Sequence, residues 1–218
     1  MAKRSGATVR YAVVGLGHIA QVAVLPAFAH ARRNSRLAAL VSDDATKRKS
    51  LSRKYKIRGT FSYADYDTCL EQVDAVYLAL PNSLHADYAV RAAAAGVHVL
   101  CEKPMAVTAD DCERMIDACR EHSVKLMIAY RLHFEEINLQ VIDLVRRGRI
   151  GQPKFFNSSF SFAVRHGNIR TKKALGGGTL YDIGIYCINA ARNLFRSEPK
   201  EVIAISVNSG QKGFEEID

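Results

Sequence analysis

The sequence lacks a paired-cysteine motif and a long apolar run. It has five cysteines: Cys69, Cys101, Cys112, Cys119 and Cys187. Their number is odd, and they show neither C-x-x-C spacing nor a Cys/His cluster, so we predict no disulfide framework and no metal site. No apolar run reaches the length of a bilayer-crossing helix, and the basic residues before Val9 are not followed by a leader's hydrophobic core. We therefore expect a cytoplasmic protein without a membrane partner.

Acidic residues are few relative to basic ones, with 22 Asp and Glu against 31 Lys and Arg and a net charge of +9. Ten of the basic residues fall between Arg32 and Arg58, opposed only by Asp43 and Asp44. An anionic partner has to be considered, but no zinc finger, RRM aromatic signature or KH loop is present. A solvated helix face is the commoner explanation of such a run, so we predict no nucleic-acid partner.

Composition and length fit an ordinary globular protein. Hydrophobic residues make up 48% of the 218-residue chain and charged residues 24%, which excludes general disorder. This length suits one large domain, or one complete domain with part of a second. No internal repeat or low-complexity tract divides the chain.

Short apolar segments alternate with helical patterns through the first 130 residues. We predict strands over residues 9–14, 37–41, 75–80, 97–101 and 126–129, and helices over 45–55, 84–95 and 108–122. The strands are nearly continuous in apolar residues, which is typical of parallel strands covered on both faces. The order predicts a parallel sheet with crossover helices.

The pattern changes after Tyr130. It predicts a helix ending at Arg147, a turn over 148–151, an alternating strand over 154–162, a helix over 179–194 and a final strand over 202–207. We therefore divide the chain into a nucleotide-binding domain, residues 1–130, and an incomplete α/β domain, residues 131–218. One or two strands cannot cover a helix layer alone, because sheets need several strands to bury one face.

A glycine-rich turn joins the first strand to the first helix. It reads Gly15-Leu16-Gly17-His18-Ile19-Ala20, which is G-x-G-x-x-A. The first glycine permits a tight turn, the second permits close approach of a pyrophosphate, and the small Ala20 permits close helix packing. The helix N-terminus adds amide donors for phosphates, so we predict dinucleotide contacts at Gly15, Gly17, His18 and Ile19, with His18 a bystander to catalysis. Methyltransferases and flavoproteins use related turns, and the motif alone does not exclude them.

The residue after the second strand bears on the choice between NAD and NADP. An acid usually binds the ribose hydroxyls there, whereas this chain has Ser42. A serine hydroxyl can donate to a 2′-phosphate, and Lys47 and Arg48 at the start of the next helix supply positive charge. We predict NADP as the cofactor, with NAD possible if Asp43 turns inward.

Three further segments resemble a known family. They read Leu80-Pro81-Asn82-Ser83-Leu84-His85, then 96–104 ending in Glu102-Lys103-Pro104, and 176–186 from Gly-Gly-Gly-Thr to Asp-Ile-Gly-Ile-Tyr. Together they resemble the Gfo/Idh/MocA oxidoreductases, whose members pair a Rossmann domain with an α/β domain built on a large, mostly antiparallel sheet. The resemblance implies oxidation or reduction of sugars, polyols and related carbonyl compounds. It also implies cofactor contacts at Leu80, Pro81, Asn82, His85, Glu102, Lys103 and Arg131, and a homo-oligomer when the protein is full length.

Two departures from the family pattern matter. Many members have histidine where this chain has Tyr186 and an acid where it has Asn189, so the chain is more similar to the glucose-fructose oxidoreductase and sugar or dihydrodiol dehydrogenase branches, which often use NADP. Family members also continue well past the last residue of this chain. We interpret the chain as a shortened form of such a protein.

Catalytic groups are predicted at Lys103, Tyr186 and Asp182. Lys103 follows the strand predicted over residues 97–101, at the carboxyl edge where open α/β sheets bind ligands, and its ammonium can donate to a substrate oxygen. Asp182 and Tyr186 are four residues apart and share one face of an α-helix with Asn189. A lysine cation would favour the phenolate, so Tyr186 is the predicted proton donor or acceptor. Asp182 would orient substrate hydroxyls or Lys103, unless it serves only as a helix cap or buried hydrogen-bonding group.

The predicted function is an NADP-preferring oxidoreductase that transfers a hydride between nicotinamide and a sugar, polyol or related carbonyl compound. The predicted substrate contacts are Lys103, Arg131, Arg170, Asp182, Tyr186 and Asn189. The alternative is a catalytically inactive dinucleotide-binding sensor or scaffold.

Overall fold

The computed structural model describes residues 8–165, 167–206 and 215. It contains two compact units, Met1–Ala129 and Tyr130–Asp218, and each is described by itself. Within the described residues, no helix combines the length and apolar character needed to cross a membrane.

The first unit is built on a six-stranded parallel sheet. Its strands are β1 (Val9–Val14), β2 (Ser35–Val41), β3 (Gly59–Phe61), β4 (Ala75–Leu78), β5 (His98–Cys101) and β6 (Leu126–Ile128). They lie in the order β3-β2-β1-β4-β5-β6, and every neighbouring pair is parallel. The predicted parallel sheet is thus confirmed. The order is that of doubly wound dinucleotide-binding folds, in which ligands bind outside the carboxyl ends of the strands where the order reverses, between β1 and β4.

Helices cover both faces of this sheet. They are a π-helical turn (Ala20–Val24) continuing into α1 (Leu25–Ala27), then α2 (Ala45–Tyr55), α3 (Tyr66–Leu70), α4 (His85–Ala94) and α5 (Ala109–Glu121). The side chain of Asp44 accepts a hydrogen bond from the Lys47 N–H at the start of α2, and Thr108 accepts one from the Asp111 N–H at the start of α5. These caps satisfy backbone donors that the first helical turn leaves unpaired.

The carboxyl-terminal halves of β1 and β2 are apolar because they are buried on both sides. Ala12 and Val14 of β1 belong to the core on one face of the sheet, while Val13 belongs to the core on the other. Val41 and Leu40 of β2 divide in the same way. Successive side chains of a strand point to opposite faces, so each face requires its own apolar set.

The second unit contains helices without a described sheet. Its elements are 3-10 turns at Arg131–Phe134, Ile169–Thr171 and Lys173–Leu175, α6 (Glu136–Arg146), a π-helical turn (Leu180–Gly184) and α7 (Ile185–Phe195).

The two strands predicted for this unit do not form in the described residues. Residues 154–162 and 202–206 pair with no strand, and Val207 lies outside the described residues. Phe155 is 82% exposed and Ile203 is 91% exposed, so neither side chain is covered by a sheet partner. An alternating sequence becomes a strand only when a neighbour accepts its ladder of hydrogen bonds. The predicted antiparallel sheet is therefore not confirmed.

Candidate cofactor and catalytic sites

The glycine-rich turn lies at the carboxyl edge of the sheet, between β2 and β4. The Gly15 N–H donates to the Val41 carbonyl at 2.9 Å, and the Ala79 N–H donates to the Val14 carbonyl at 2.8 Å. Gly15 has a φ of +90°, and a Cβ placed on it would lie 2.4 Å from the carbonyl oxygen of Ala79. Backbone conformation and contact with the neighbouring segment therefore both require glycine at this position.

The rest of the turn fits a dinucleotide. A Cβ placed on Gly17 meets nothing within 4 Å, so no protein atom requires glycine there. Ala20 is fully buried, as close helix packing needs, while His18 and Ile19 are exposed. The turn lies at the reversal of strand order, where doubly wound folds bind dinucleotides, and its predicted cofactor contacts remain predictions.

Ser42 lies directly after β2, as predicted, but it is 6% exposed. The Ser42 hydroxyl accepts a hydrogen bond from the Asp44 N–H at 3.2 Å, and the backbone N–H of Ser42 donates to the Phe61 carbonyl at 3.0 Å. The guanidinium of Arg48 donates to the Ser42 carbonyl. Ser42 thus connects the end of β2 with β3 and with the start of α2, through hydrogen bonds of both its backbone and its side chain.

Lys47 and Arg48, the two basic residues of α2 predicted to bind the 2′-phosphate, differ in their surroundings. Lys47 Nζ lies 3.0 Å from a carboxylate oxygen of Asp44, and its backbone and side-chain hydrogen bonds hold the pKa of Asp44 below its usual value. Arg48 instead lies against Ser42 at the end of β2. Of the two, Arg48 is the one whose side chain contacts Ser42, and the predicted phosphate contacts of both residues remain predictions.

His85 was predicted as a cofactor contact, which remains a prediction, and in the structure it contacts backbone groups. Its side chain is fully buried, with Nδ1 2.8 Å from the Pro104 carbonyl oxygen and Nε2 3.0 Å from the Leu80 carbonyl oxygen. The imidazole therefore connects the segment after β4 with the segment after β5. Leu80 is buried as well, whereas Pro81 and Asn82 lie partly exposed at the start of the 3-10 turn Asn82–Leu84.

We expect His85→Leu to lower the free energy of unfolding by about 1–3 kcal/mol, because a buried backbone carbonyl loses the ring N–H that donates to it. Burial lowers the pKa of His85 in the folded state below its ordinary value of 6.5, against smaller effects of its hydrogen bonds. The unfolded chain then binds the proton more readily, so wild-type stability declines as the pH falls below about 6.5 towards the folded-state pKa. The variant lacks this component of the decline.

Urea unfolding at pH 7.5 and pH 5.5 measures both effects of this substitution. His122→Leu is the matched control, since His122 is exposed at the end of α5. An equal loss of stability on acidification in wild type and His85→Leu would contradict the assignment to His85.

The Glu102-Lys103-Pro104 segment leaves β5 at the same edge of the sheet. A carboxylate oxygen of Glu102 accepts a hydrogen bond from the Tyr77 hydroxyl of β4 at 2.6 Å, and the other accepts from the Lys103 N–H at 3.3 Å. The Lys103–Pro104 peptide bond is cis. Glu102 thus holds the start of this segment against β4, and Lys103 follows it, partly exposed. The predicted cofactor contact of Glu102 remains a prediction.

Asp182 and Arg170 form an ion pair within the second unit. Arg170 Nε lies 2.6 Å from Asp182 Oδ2, and the Asp182 side chain is only 15% exposed. The Arg170 carbonyl accepts a hydrogen bond from the Gly178 N–H at 2.9 Å, which ties the 3-10 turn to the glycine-rich segment. The hydrogen-bonding role considered for Asp182 is therefore present. Its catalytic role, and the substrate contact of Arg170, remain predictions.

Tyr186 lies on α7 among aromatic rings. Its ring centroid is 6.1 Å from that of Tyr130 and 5.9 Å from that of Phe160. Asp182 belongs to the π-helical turn before α7, and a π-helical turn holds more residues than an α-helical one. The prediction that Asp182, Tyr186 and Asn189 share one helix face assumed α-helical pitch throughout. Of these three residues, only Tyr186 and Asn189 lie in the α-helix.

Arg131 lies in the 3-10 turn that follows the first unit. Its side chain is 71% exposed and ion-paired with Glu135. Its predicted contacts with cofactor and substrate remain predictions. Among the described residues, no group of three or more His, Cys, Asp and Glu side chains is arranged to hold a metal ion.

Two tyrosines at this edge of the sheet, Tyr77 and Tyr63, were not predicted from the sequence. Tyr77 could have been found, because adjacent parallel strands bring a residue of β4 next to the residue that follows β5. Tyr63 follows β3, whose three residues give no periodic signal.

Comparison with known proteins agrees with this architecture. The profile of the Gfo/Idh/MocA oxidoreductase family, described as an NAD-binding Rossmann fold, matches residues 9–130, and the family's C-terminal domain matches residues 138–218. A D-xylose 1-dehydrogenase (NADP(+)) from Haloferax volcanii is 33% identical over 207 residues, covering 93% of this chain and 62% of the relative.

Two solved structures are also similar. An aldose-aldose oxidoreductase from Caulobacter crescentus, complexed with glycerol, has a TM-score of 0.78 and 42% identity over 88% of this chain and 59% of its own. A 3-ketoreductase from Actinomadura kijaniata, in complex with NADP and TDP-benzene, has a TM-score of 0.73 and 32% identity over 85% of this chain and 57% of its own. The chain thus spans about 60% of the length of the curated relatives it matches. By sequence and by fold, it belongs to the Gfo/Idh/MocA oxidoreductase family.

Proposed function

We propose that the protein is an NADP-preferring oxidoreductase that transfers a hydride between nicotinamide and a sugar, polyol or related carbonyl compound. The observation that best supports this proposal is that two predicted site segments lie at the same edge of one sheet. The Gly15 turn after β1 and the Lys103 segment after β5 both leave the carboxyl edge, where doubly wound folds bind ligands.

The preference for NADP is supported at the end of β2. Arg48 lies against Ser42, and no carboxylate occupies the Ser42 position, where an acid would repel a 2′-phosphate. Relatives point the same way, because the Haloferax volcanii enzyme is named as NADP-dependent and the Actinomadura kijaniata structure holds NADP. A sugar substrate is supported by the D-xylose, aldose and dTDP-sugar enzymes among these relatives.

Nicotinamide, when bound, supplies or accepts the hydride. In our proposal the Lys103 ammonium donates a hydrogen bond to the substrate oxygen and stabilises negative charge that develops there. Tyr186 exchanges the proton of that oxygen, and Asp182, held by Arg170, orients substrate hydroxyls. We also propose that the protein is cytoplasmic and that it forms a homo-oligomer at full length.

Calorimetric titration with NADP and with NAD tests the cofactor, followed by turnover assays on a panel of aldoses and polyols. We expect NADP to bind at least about tenfold more tightly than NAD, since a charge-assisted hydrogen bond to the 2′-phosphate is available only in NADP. The proposal is wrong if neither cofactor binds. Tight binding of NADP by the full-length protein without turnover of any sugar would instead support a dinucleotide-binding sensor.

A further inference from the structure

Tyr77 lies one residue before the carboxyl end of β4, in the middle of the sheet. β4 stands between β1 and β5, and Tyr77 pairs with Val13 on one side and with Leu100 on the other. The Tyr77 ring packs against the core cluster that contains Leu16 and Ala20 of the glycine-rich turn. Tyr77 therefore lies at the reversal of strand order, where doubly wound folds bind ligands.

The Tyr77 hydroxyl holds the side chain of Glu102. Glu102 lies two residues beyond Leu100, and side chains two residues apart along an extended chain point to the same face, so the carboxylate is on the face that carries the Tyr77 ring. The hydroxyl donates to a carboxylate oxygen at 2.6 Å, within the range of charge-assisted O–H···O⁻ hydrogen bonds. Both residues are partly buried, which strengthens the bond relative to one in water.

The segment that carries Lys103 is held at both ends. At its start, the Glu102 N–H donates to a β4 carbonyl at 2.9 Å, and the second carboxylate oxygen of Glu102 accepts from the Lys103 N–H at 3.3 Å. At its end, the Pro104 carbonyl oxygen lies 2.8 Å from Nδ1 of the buried His85. The Glu102 carboxylate thus connects the Lys103 backbone to β4 through Tyr77.

Loss of the Tyr77 hydroxyl would free the Glu102 carboxylate to turn. The Glu102 side chain has several staggered rotamers, and the hydrogen bond from Tyr77 selects the one that also places an oxygen at the Lys103 N–H. A displacement of about 1 Å in a group that acts on the reacting atoms can lower a rate by about a hundredfold. The hydroxyl therefore matters for the position of Lys103 and not only for the packing of β4.

We propose that Tyr77 is a positioning residue for Lys103. The Tyr77 hydroxyl fixes the Glu102 carboxylate, and this carboxylate fixes the backbone from which the Lys103 ammonium reaches the substrate oxygen. This inference rests on the proposed function, because it concerns the catalytic role proposed there for Lys103.

Tyr77→Phe in the full-length protein tests this proposal. The substitution keeps the ring in its core and removes only the hydroxyl. We expect kcat for the best sugar of the panel, measured per folded protein, to fall by about tenfold to a hundredfold, because the donor is no longer preorganised. The calorimetric Kd for NADP should stay within about threefold of wild type, because the misplaced donor acts where charge develops in the transition state.

Tyr66→Phe is the matched control for a purely structural effect. Tyr66 is fully buried in the core on the other face of the sheet, and its hydroxyl donates to the Tyr88 carbonyl at 3.1 Å. This variant also loses one hydroxyl and one hydrogen bond, so its Tm should fall at least as far as that of Tyr77→Phe. Its kcat should stay within about twofold of wild type, since Tyr66 has no contact with the Lys103 segment among the printed bonds of its hydroxyl.

A double-mutant cycle on kcat shows whether Tyr77 acts through Glu102. In a Glu102→Ala background Tyr77 has no carboxylate to hold, so adding Tyr77→Phe should change kcat by less than about twofold. A wild-type kcat in Tyr77→Phe would overturn the proposal, and so would a cycle in which Tyr77→Phe lowers kcat by the same factor with and without the Glu102 side chain. If the wild-type protein neither binds a nicotinamide cofactor nor turns over any sugar, the proposed function itself fails; wild-type turnover with an unaffected Tyr77→Phe variant refutes this inference alone.

Discussion

Replacing Lys103 by methionine is expected to lower kcat by about a hundredfold to ten-thousandfold, while the Kd for NADP changes by less than about threefold. Methionine keeps an unbranched apolar stem of similar length but removes the ammonium group. A preorganised donor aimed at the substrate oxygen matters most when charge develops there, so its loss appears in kcat rather than in cofactor binding.

The measurement is steady-state turnover of the best sugar of the panel by the full-length protein, together with calorimetry for NADP. Lys125→Met is the matched control, because Lys125 is an exposed lysine just before β6, at the opposite edge of the same sheet. Its kcat should equal that of wild type. A Lys103→Met enzyme with wild-type kcat would refute the proposed role, and a large loss of NADP binding would assign Lys103 to the cofactor instead.

The first unit was predictable because burial on both faces leaves a strong mark on short strands. Leu40 and Val41 are adjacent and both buried, yet they belong to different cores, so the strand cannot contain a polar alternation. The range predicted for α2 agrees with the structure, and the side chains of Asp44 and Thr108 cap the starts of α2 and α5. Local chemistry and tertiary burial agree at these positions.

Other elements carried no such mark. β3 has three residues, and it is recognisable only once the Phe61 carbonyl is seen to pair with Ser42. The π-helical turn that contains Asp182 looks like α-helix in sequence, because the two differ by one residue per turn and not in composition. Residues 154–162 have the alternation of a strand, but a strand also needs a pairing partner, which a one-dimensional pattern does not contain.

The site was predicted at the level of segments and less well at the level of side chains. His85 and Asp43 are polar residues beside ligand-binding motifs, and from sequence both were candidates to touch the cofactor. In the structure the two ring nitrogens of His85 lie against backbone carbonyls, and Asp43 accepts a hydrogen bond from a backbone amide. Whether a polar side chain meets a ligand or satisfies the backbone depends on distant segments, here those ending at Pro104 and Tyr63, which the local motif does not encode.

Gly15→Ala is expected to destabilise the protein by about 3–5 kcal/mol and to abolish measurable NADP binding by the folded fraction. The left-handed φ of +90° is costly for alanine, and the added Cβ would lie 2.4 Å from the Ala79 carbonyl oxygen. That oxygen belongs to backbone held by the Ala79 N–H bond to Val14, so relief requires moving the turn. Thermal and urea unfolding measure the loss, and a Tm equal to wild type would show that the turn tolerates a side chain.

Gly17→Ala is expected to separate ligand binding from folding at the same turn. The Cβ meets no protein atom within 4 Å, so the free energy of unfolding should change by less than about 0.5 kcal/mol. The same methyl group would stand where a pyrophosphate approaches the backbone, so the Kd for NADP should rise at least about tenfold. Unchanged NADP binding in a stable Gly17→Ala variant would mean that no phosphate lies against this turn, because a methyl group placed in a phosphate contact cannot be neutral.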